Sequence, residues 1–261
     1  MLHGVDSAGG KSADKKIRMQ SIEAMLQTVP GFAQLADDAL ERVAAVGDIA
    51  EVRPGAVLFQ QGGIPESLFV LLEGCVSLTG TTADASSTVI DILEPASSFV
   101  LANVLIDEPY LMGAEAVATS VLIRIAAAPM RAVVATRPAA AMVMMRAMSA
   151  ELGSMTRQVV DLKVRVAAQR LGSYLLSLVI EPAAAQANFR LPVNKGLLAL
   201  WLGCRAENLS RAFVALRKYG VETHGSRVAL HDVVCLRAYA GVSEGAYSGD
   251  DAAHRPMEKV L

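Results

Sequence analysis

The segment from Asn194 to Gly220, NKGLLALWLGCRAENLSRAFVALRKYG, predicts two short helices on either side of a tight turn. Apolar side chains recur at helical spacing in each half, so each helix has one face suited to a core. Gly203 supplies the permissive backbone that a sharp turn requires, and Asn194 is a good N-cap for the first helix. The pattern is typical of a helix-turn-helix, whose second helix enters the major groove of DNA. The apolar positions are Leu197, Leu198 and Trp201 in the first helix and Leu209, Phe213 and Leu216 in the second.

The start of the second helix carries the side chains expected to contact bases. Arginine pairs with guanine, glutamate accepts from the cytosine amino group, and serine contacts either kind of base. The alternative is that Glu207 and Arg211, spaced i to i+4, form only a surface ion pair. Contacts to the DNA backbone are expected from nearby polar and basic side chains, for which a solvated helix face is the alternative. The candidates are Glu207, Asn208, Ser210 and Arg211 for bases, and Asn194, Lys195, Arg205, Arg217 and Lys218 for the backbone.

Two further elements extend this motif. The run from Val221 to Leu230 predicts two short strands that turn at His224-Gly225-Ser226, which would make the motif a winged helix-turn-helix. His224 is expected to be a solvated turn histidine, with a phosphate contact as the alternative. An amphipathic helix between Val164 and Pro182 is expected to pack beneath the two DNA-facing helices, with a core face of Val166, Leu171, Tyr174, Leu175, Leu178 and Val179.

Charge is distributed unevenly along the chain. Residues 1–156 carry 10 basic and 17 acidic side chains, whereas residues 157–240 carry 12 basic and 5 acidic ones. A basic C-terminal part joined to an acidic N-terminal part is expected where only one of the two meets phosphate. No run of 18 or more uncharged apolar residues is present, and the polar N-terminus lacks an apolar signal-peptide core. We therefore expect no membrane association and a cytoplasmic location.

The part of the chain between Ile49 and Ile125 predicts an antiparallel β structure. Short apolar or alternating runs are separated by glycine and proline, as in a barrel or a double-sheet roll. The predicted strands are Ala56 to Phe59, Leu68 to Leu72, Val76 to Leu78, Val89 to Leu93 and Val117 to Ile125.

From Pro138 onward, apolar side chains follow a 4-3-4-3 spacing that is typical of a coiled-coil seam. Such a narrow seam suits a partner helix better than a broad core, although burial against the chain's own β structure is the alternative. The seam positions are Ala141, Met145, Met148, Leu152, Met155, Val159 and Leu162, continued by Val166.

Two separate motifs resemble the Crp-Fnr family of bacterial transcription regulators. The run from Leu191 to Gly220 resembles the DNA-binding signature of the family, and Glu207-x-x-Ser210-Arg211 within it resembles the base-contacting triplet of the Fnr-like branches. The run RPGAVLFQQG from Arg53 to Gly62, followed by FVLLEGCV from Phe69 to Val76, resembles the opening of the family's effector domain. The likeness spans about Phe32 to Tyr239, with both motifs in the family's order.

The resemblance implies an α+β fold with an N-terminal β-roll like that of cyclic-nucleotide-binding domains, a long dimerisation helix and a C-terminal winged helix-turn-helix. It also implies a homodimer on a palindromic TTGA-type site, with Arg211 on guanine, Glu207 on the opposite cytosine and Ser210 near a thymine. RNA polymerase is then an expected partner. The expected divisions are a flexible tail (1–20), the effector roll (21–137), the dimerisation helix (138–163), the DNA-binding domain (164–240) and a second tail (241–261).

The effector is not expected to be cAMP or cGMP. Cyclic-nucleotide-binding members of the family place Gly-Glu and Arg-Ser pairs around the phosphate, where this chain has Leu101-Ala102 and Met112-Gly113. A buried phosphodiester would lack its arginine there. Cys75, Cys204 and Cys235 are scattered and residues 1–74 contain no cysteine, which excludes the family's iron-sulfur sensor.

The run from Phe99 to Ala118 resembles the Dnr and Nnr regulators, which lack the cluster cysteines and sense nitric oxide through haem. Haem is therefore a candidate cofactor, for which Cys75 and the methionines of residues 1–156 offer sulfur donors. Cys75 is alternatively a redox-sensitive thiol or a small buried hydrophobe. A small-molecule-binding module with incidental DNA contacts is the second class of function. No combination of nucleophile, base, phosphate loop or metal cluster favours an enzyme.

Overall fold

A computed structural model of the chain describes residues 19–82, 87–181 and 183–241. Most of the two predicted tails, residues 1–18 and 242–261, lies outside these ranges. Met19 and Gln20, which the expected division assigns to the N-terminal tail, belong to a helix over residues 19–26 (α1). Its side chains Ile22 and Leu26 are buried in the core of the N-terminal domain.

The N-terminal domain is a β-roll of two four-stranded antiparallel sheets. One sheet has the strand order β1-β8-β3-β6 and the other has the order β2-β7-β4-β5. Helices Asp37–Ala44 (α2), Leu101–Ile106 (α3) and Ala127–Thr136 (α4) accompany the sheets. The strands are Gly47–Val52 (β1), Val57–Phe59 (β2), Ser67–Glu73 (β3), Val76–Thr81 (β4), Ser87–Leu93 (β5), Ser97–Phe99 (β6), Gly113–Ala116 (β7) and Ser120–Ala126 (β8).

The predicted roll is confirmed, with one strand misassigned. The run from Val117 to Ile125 is not a single strand, because residues 117–119 form the connection between β7 and β8. β7 has the sequence Gly-Ala-Glu-Ala and therefore lacks the β-branched and aromatic side chains that signal a strand. β7 nevertheless forms, because β2 and β4 pair with its two edges through backbone hydrogen bonds.

Aromatic side chains fill the interior of the roll. The ring of Phe59 lies 5.4 Å from that of Phe69 and 4.1 Å from that of Tyr110, and Phe69 stacks on Phe99 at 5.5 Å. The hydroxyl of Tyr110 donates to the carbonyl of Ser67 at 2.8 Å, so its polar end is satisfied within the core. This packing joins both sheets and the segment before β7 into one unit.

A helix of 27 residues, Pro138–Val164 (α5), connects the roll to the C-terminal domain. Proline occupies its first turn, where the absent backbone N–H costs nothing. Ala140 and Met144 are its buried residues and face the core of the roll. The predicted helix is confirmed and is one residue longer than expected.

The C-terminal domain contains four α-helices and a three-stranded antiparallel sheet of order β10-β11-β9. The predicted helix-turn-helix and hairpin are present, together with a third strand and a last helix that the sequence patterns missed. Val166, assigned to a core face, is 61% exposed because it precedes its helix as the cap. The elements are Ala167–Ser177 (α6), Ala187–Arg190 (β9), Lys195–Trp201 (α7), Ala206–Leu216 (α8), a 3-10 turn at Arg217–Tyr219, Val221–His224 (β10), Arg227–Leu230 (β11) and Val233–Ala240 (α9).

The roll and the C-terminal domain share a buried contact. Cys75, in the turn before β4, belongs to the hydrophobic core of the C-terminal domain, and Ile92 and Val117 of the roll pack against that core. The side-chain amide of Gln158 on α5 donates to the carbonyl of Ile90 at 2.7 Å. β5 is therefore held by both the connecting helix and the C-terminal domain.

Candidate nucleic-acid interface

The turn between α7 and α8 depends on glycine. Gly203 has a φ of +61°, in the left-handed region that favours glycine, and the Cys204 amide donates to the carbonyl of Ala199 at 2.9 Å. A Cβ on Gly203 would lie 2.8 Å from Cδ2 of Leu162, near the end of α5. The turn thus abuts the connecting helix, and a larger residue would push the two apart.

The first helix of the motif begins at a side-chain cap. Oδ1 of Asn194 accepts a hydrogen bond from the Leu197 amide at 2.9 Å. Nζ of Lys195 lies 4.9 Å from the ring centroid of Phe213, which links the start of α7 to α8. Both residues are predicted to contact the DNA backbone. Asn194 already caps α7, whereas Lys195 is exposed beside α8.

The helix α8 separates its buried and exposed faces as its sequence predicts. Leu209, Ala212, Phe213 and Leu216 are buried against α6 and the rest of the domain core. Glu207 lies in the first turn, where the positive end of the helix dipole favours a carboxylate. The four side chains predicted to contact bases all lie on the exposed side: Glu207, Asn208, Ser210 and Arg211.

The simple ion-pair alternative for Glu207 and Arg211 is not observed. Within the ranges that the structure describes, neither side chain forms an ion pair, although both have suitable partners one helical turn away. Both side chains are therefore available to an external partner. A guanidinium and a carboxylate on one turn of an exposed helix can contact a guanine and a cytosine on opposite strands.

The remaining basic candidates lie at the two ends of α8. Arg205 is exposed and precedes the first turn, whereas Arg217 and Lys218 are exposed in the 3-10 turn after the last. Eleven helical residues separate these ends by roughly 16 Å. Arg217 and Lys218 also stabilise the negative end of the helix dipole, so they have a structural role that Arg205 lacks.

The hairpin after α8 has the predicted strands and turn. β10 and β11 pair antiparallel from Val221 with Leu230 to His224 with Arg227, and Gly225 in the turn has a φ of +63°. β9 pairs with the other edge of β11. This third strand adds Arg190 to the surface beside the hairpin, a basic residue that the sequence patterns did not single out.

The predicted seam on α5 is a largely exposed apolar stripe in the single chain. Leu152 is 66% exposed, Val159 50% and Met145 47%. Met148 differs, because it packs against the core of the roll. Ala141 and Met155 are half-buried, and Leu162 contacts the α7–α8 turn near Gly203. The stripe therefore starts on the roll and ends at the DNA-binding motif.

The roll positions considered above for a cyclic-nucleotide phosphate, Leu101-Ala102 and Met112-Gly113, carry no charged side chain. Leu101 is buried at the start of α3, Ala102 is exposed beside it, and Met112 packs against the roll core before β7.

Burial, and then the nearby Glu94, raises the pKa of the Cys75 thiol to about 12. Among the described residues, no group of three or more histidine, cysteine, aspartate or glutamate side chains could hold a metal ion.

The helices within the described ranges include none that is both long and apolar enough to cross a membrane.

Comparison with known proteins adds two domain matches. Residues 49–137 match the family model described as a cyclic nucleotide-binding domain, and residues 169–239 match the model described as a Crp-like helix-turn-helix domain. Together the matches cover the roll and the DNA-facing motif, and they leave α5 between them.

Three known proteins illustrate the likeness over most of the chain. The transcriptional activator protein FnrA of Stutzerimonas stutzeri is 27% identical over 208 residues, covering 78% of this chain and 84% of FnrA. The transcriptional activator protein Anr of Pseudomonas aeruginosa is 25% identical over 208 residues, with the same coverage of 78% and 84%. The structure of FixK2 from Bradyrhizobium japonicum, 18% identical, superposes with a TM-score of 0.64 over 74% of this chain and 97% of FixK2, which supports the fold alone.

Proposed function

The chain belongs to the Crp-Fnr family of DNA-binding transcription regulators, and on that premise we propose that it binds a palindromic TTGA-type operator as a homodimer. The proposal depends on one observation: Glu207, Ser210 and Arg211 lie on the exposed face of α8, and the opposite face of this helix is apolar and buried. Arg211 is assigned to the guanine of each half-site, Glu207 to the opposite cytosine and Ser210 to a neighbouring thymine.

A second copy of the chain is the proposed partner of the apolar stripe on α5. Leu152 and Val159, about two helical turns apart, leave at least half of their surface exposed in the single chain, which costs solvation free energy that a paired helix would recover. Pairing along this stripe would place two copies of α8 about one DNA turn apart, roughly 34 Å. Asn208 and the exposed Lys195 and Arg205 then add base and phosphate contacts.

We propose that the roll does not bind a cyclic nucleotide as its effector. The Leu101-Ala102 and Met112-Gly113 positions supply no cation for a phosphodiester, so its charge would be desolvated without compensation. Haem through Cys75 is not supported either, because the Cys75 side chain packs in the hydrophobic core of the C-terminal domain, where burial also raises the pKa of its thiol to about 12. We therefore assign no cofactor. The chain is proposed to act in the cytoplasm and to control RNA polymerase at its operators.

The DNA-binding proposal is tested by fluorescence anisotropy with a TTGA palindrome and a scrambled duplex of equal length. We expect the wild-type protein to prefer the palindrome at a stoichiometry of two chains per duplex. Arg211→Ala should lose about 1 to 3 kcal/mol on the palindrome and little on the scrambled duplex, because only the former presents the guanine. The control is Lys218→Ala, which should weaken both duplexes equally. Equal losses for Arg211→Ala on both duplexes would reduce Arg211 to a phosphate contact.

The dimer is tested separately by sedimentation equilibrium. Leu152→Glu and Val159→Glu should each convert dimer to monomer, because each buries a carboxylate in an apolar seam. Ala150→Glu is the matched control, since Ala150 is exposed on the side of α5 away from the stripe. A Leu152→Glu protein that remains dimeric would place the interface elsewhere.

A further inference from the structure

The roll and the C-terminal domain meet at a contact that has both apolar and polar parts. Cys75, in the turn before β4, is 2% exposed and packs in the hydrophobic core of the C-terminal domain. Ile92 of β5 packs against the same core. Beside them, Nε1 of Trp201 at the end of α7 donates to Oδ1 of Asp91 on β5 at 3.2 Å. We call these four residues, Cys75, Asp91, Ile92 and Trp201, the domain junction.

Three carboxyl groups lie at or beside the domain junction. Asp91 is on β5, Glu94 follows the end of β5, and Glu151 is on α5. All three side chains are half-buried. Burial raises the pKa of both Glu94 and Glu151, and the charge of Asp91 raises both pKa values further. Like charges are therefore brought together from two elements at a place where water is partly excluded.

Asp91 is the carboxylate that the domain junction holds by hydrogen bonds. Its Oδ1 accepts from the indole of Trp201 and also from the amide of Ile92, the latter at 2.9 Å. Hydrogen bonds donated to a carboxylate stabilise its charged form. The charge of Asp91 therefore holds the end of α7 and, at the same time, opposes a second negative charge nearby.

Glu94 is the carboxyl group whose charge is opposed. The titratable groups that face it are Asp91, Cys75 and Tyr174 of α6, and none of these three is basic. Within the described ranges, neither Glu94 nor Glu151 forms an ion pair. Burial, followed by Asp91, raises the pKa of Glu94 to about 7. The charge at this contact between domains therefore changes close to neutral pH.

We propose that the domain junction is a pH-dependent latch, which protonated Glu94 keeps closed and ionised Glu94 opens. Ionisation places a second negative charge beside Asp91 in a partly dehydrated contact, and separation of the two domains returns water to both carboxylates. Because the docked form binds the Glu94 proton more tightly, docking is strongest at low pH and weakens as the pH rises through about 7. In the open form Trp201 leaves β5, while α5 still connects the domains. The latch is independent of which operator the protein binds.

The latch is tested by alkylation of the Cys75 thiol with N-ethylmaleimide, because a side chain that is 2% exposed reacts only after the contact opens. The rate at each pH is divided by the rate for the same cysteine in urea-unfolded protein, which removes the effect of pH on the thiol itself. Mass spectrometry of the labelled peptides distinguishes Cys75 from Cys204 and Cys235. We expect the normalised rate to rise roughly 10- to 100-fold between pH 5 and pH 8.

Three variants assign this change to the proposed groups. Glu94→Gln cannot ionise and has nearly the same shape, so its normalised rate should stay flat across the same pH range. Glu115→Gln removes an equal charge at an exposed position of β7 in the same sheet, and as the control it should keep the wild-type profile. Asp91→Asn retains an oxygen acceptor for Trp201 but removes the charge beside Glu94. It should reduce the pH dependence without abolishing it, because burial still opposes ionisation.

Two profiles would overturn the latch directly: a wild-type rate that does not change with pH, or a Glu94→Gln rate that changes as the wild-type rate does. Global unfolding is distinguished from domain separation by its response to urea. Separation of two folded domains exposes little surface, so labelling of Cys75 should depend only weakly on low concentrations of urea. A rate that rises with urea as steeply as global unfolding does would show that Cys75 is reached only by unfolding, and that result would also overturn the latch.

Discussion

The indole Nε1 of Trp201 donates a hydrogen bond to Oδ1 of Asp91 over a distance of 3.2 Å. Trp201 ends the first helix of the helix-turn-helix, whereas Asp91 lies on β5 of the roll, 110 residues earlier in the chain. The Trp201 ring also meets Tyr174 of α6 edge-on at 4.9 Å. The polar contact thus ties the helix-turn-helix to a strand of the roll, whereas the aromatic contact holds the same Trp201 side chain against α6 within the C-terminal domain.

Trp201 is the single tryptophan of the chain, so its fluorescence reports on this contact without interference. We expect Asp91→Ala to make Trp201 more accessible to acrylamide, because a hydrogen bond to an ionised acceptor shifts an opening equilibrium by roughly tenfold. The measurement is the Stern–Volmer quenching constant. Asp48→Ala, which removes an exposed ion pair with Arg124 in the other sheet, is the control. Equal quenching in all three proteins would mean that the hydrogen bond does not hold the two domains together.

A second prediction concerns pH and the carboxyl group of Glu94. Burial, and then the neighbouring Asp91, raises the pKa of Glu94 to about 7. Burial, again followed by Asp91, also raises the pKa of Glu151 on α5, so Asp91 is an acidic neighbour of both Glu94 and Glu151. Cys75 and Tyr174 are the other titratable neighbours of Glu94.

The folded protein binds the Glu94 proton more tightly than the unfolded chain does, so protonation of Glu94 stabilises the fold. This stabilisation is complete at low pH. It is lost as the pH rises through about 7. We expect wild type to lose on the order of 2 kcal/mol of unfolding free energy relative to Glu94→Gln between pH 5 and pH 8, measured by urea denaturation. Parallel pH profiles for the two proteins would show that Glu94 is solvated in the folded state.

Gly74 provides the third prediction. Its φ is +91°, and a Cβ at this position would overlap Oγ of Ser120 and the carbonyl oxygen of Thr119. Gly74→Ala should destabilise the protein by about 3 kcal/mol or more, because the strained φ and the overlap add. Gly55→Ala has a similar φ of +82° with no heavy atom within 4 Å of the added Cβ, so it should cost only about 1 kcal/mol. Thermal melts of the two variants separate the steric effect from the conformational one, and equal losses would contradict the predicted overlap.

The fourth prediction separates the two roles open to Asn194. Its side chain caps α7, so Asn194→Ala should cost about 1 kcal/mol of stability, whereas Asn194→Ser should retain the cap and most of that stability. We expect DNA affinity to follow stability in both variants. If Asn194→Ser melted like wild type but bound DNA weakly, Asn194 would be a direct DNA contact as well as a cap.

The helix-turn-helix was predictable because each of its determinants is local. Leu209, Phe213 and Leu216 repeat at the helical period, Asn194 caps the first helix, and Gly203 takes the left-handed conformation of the turn. The exposed positions of Glu207 and Arg211 follow from the same period. The long helix α5 was predictable for a similar reason, since Pro138 and a regular apolar spacing define it.

Tertiary structure alone decided which segments completed the sheets and which surfaces met. β7 and β9 are four residues long with few strand-forming side chains, and they exist because neighbouring strands supply hydrogen-bonding edges. The pairing of Arg190 with Arg227 and the contact between Trp201 and Asp91 join residues far apart in the chain. Local periodicity reports which face of an element is apolar, but register and domain docking depend on partners that no local pattern specifies.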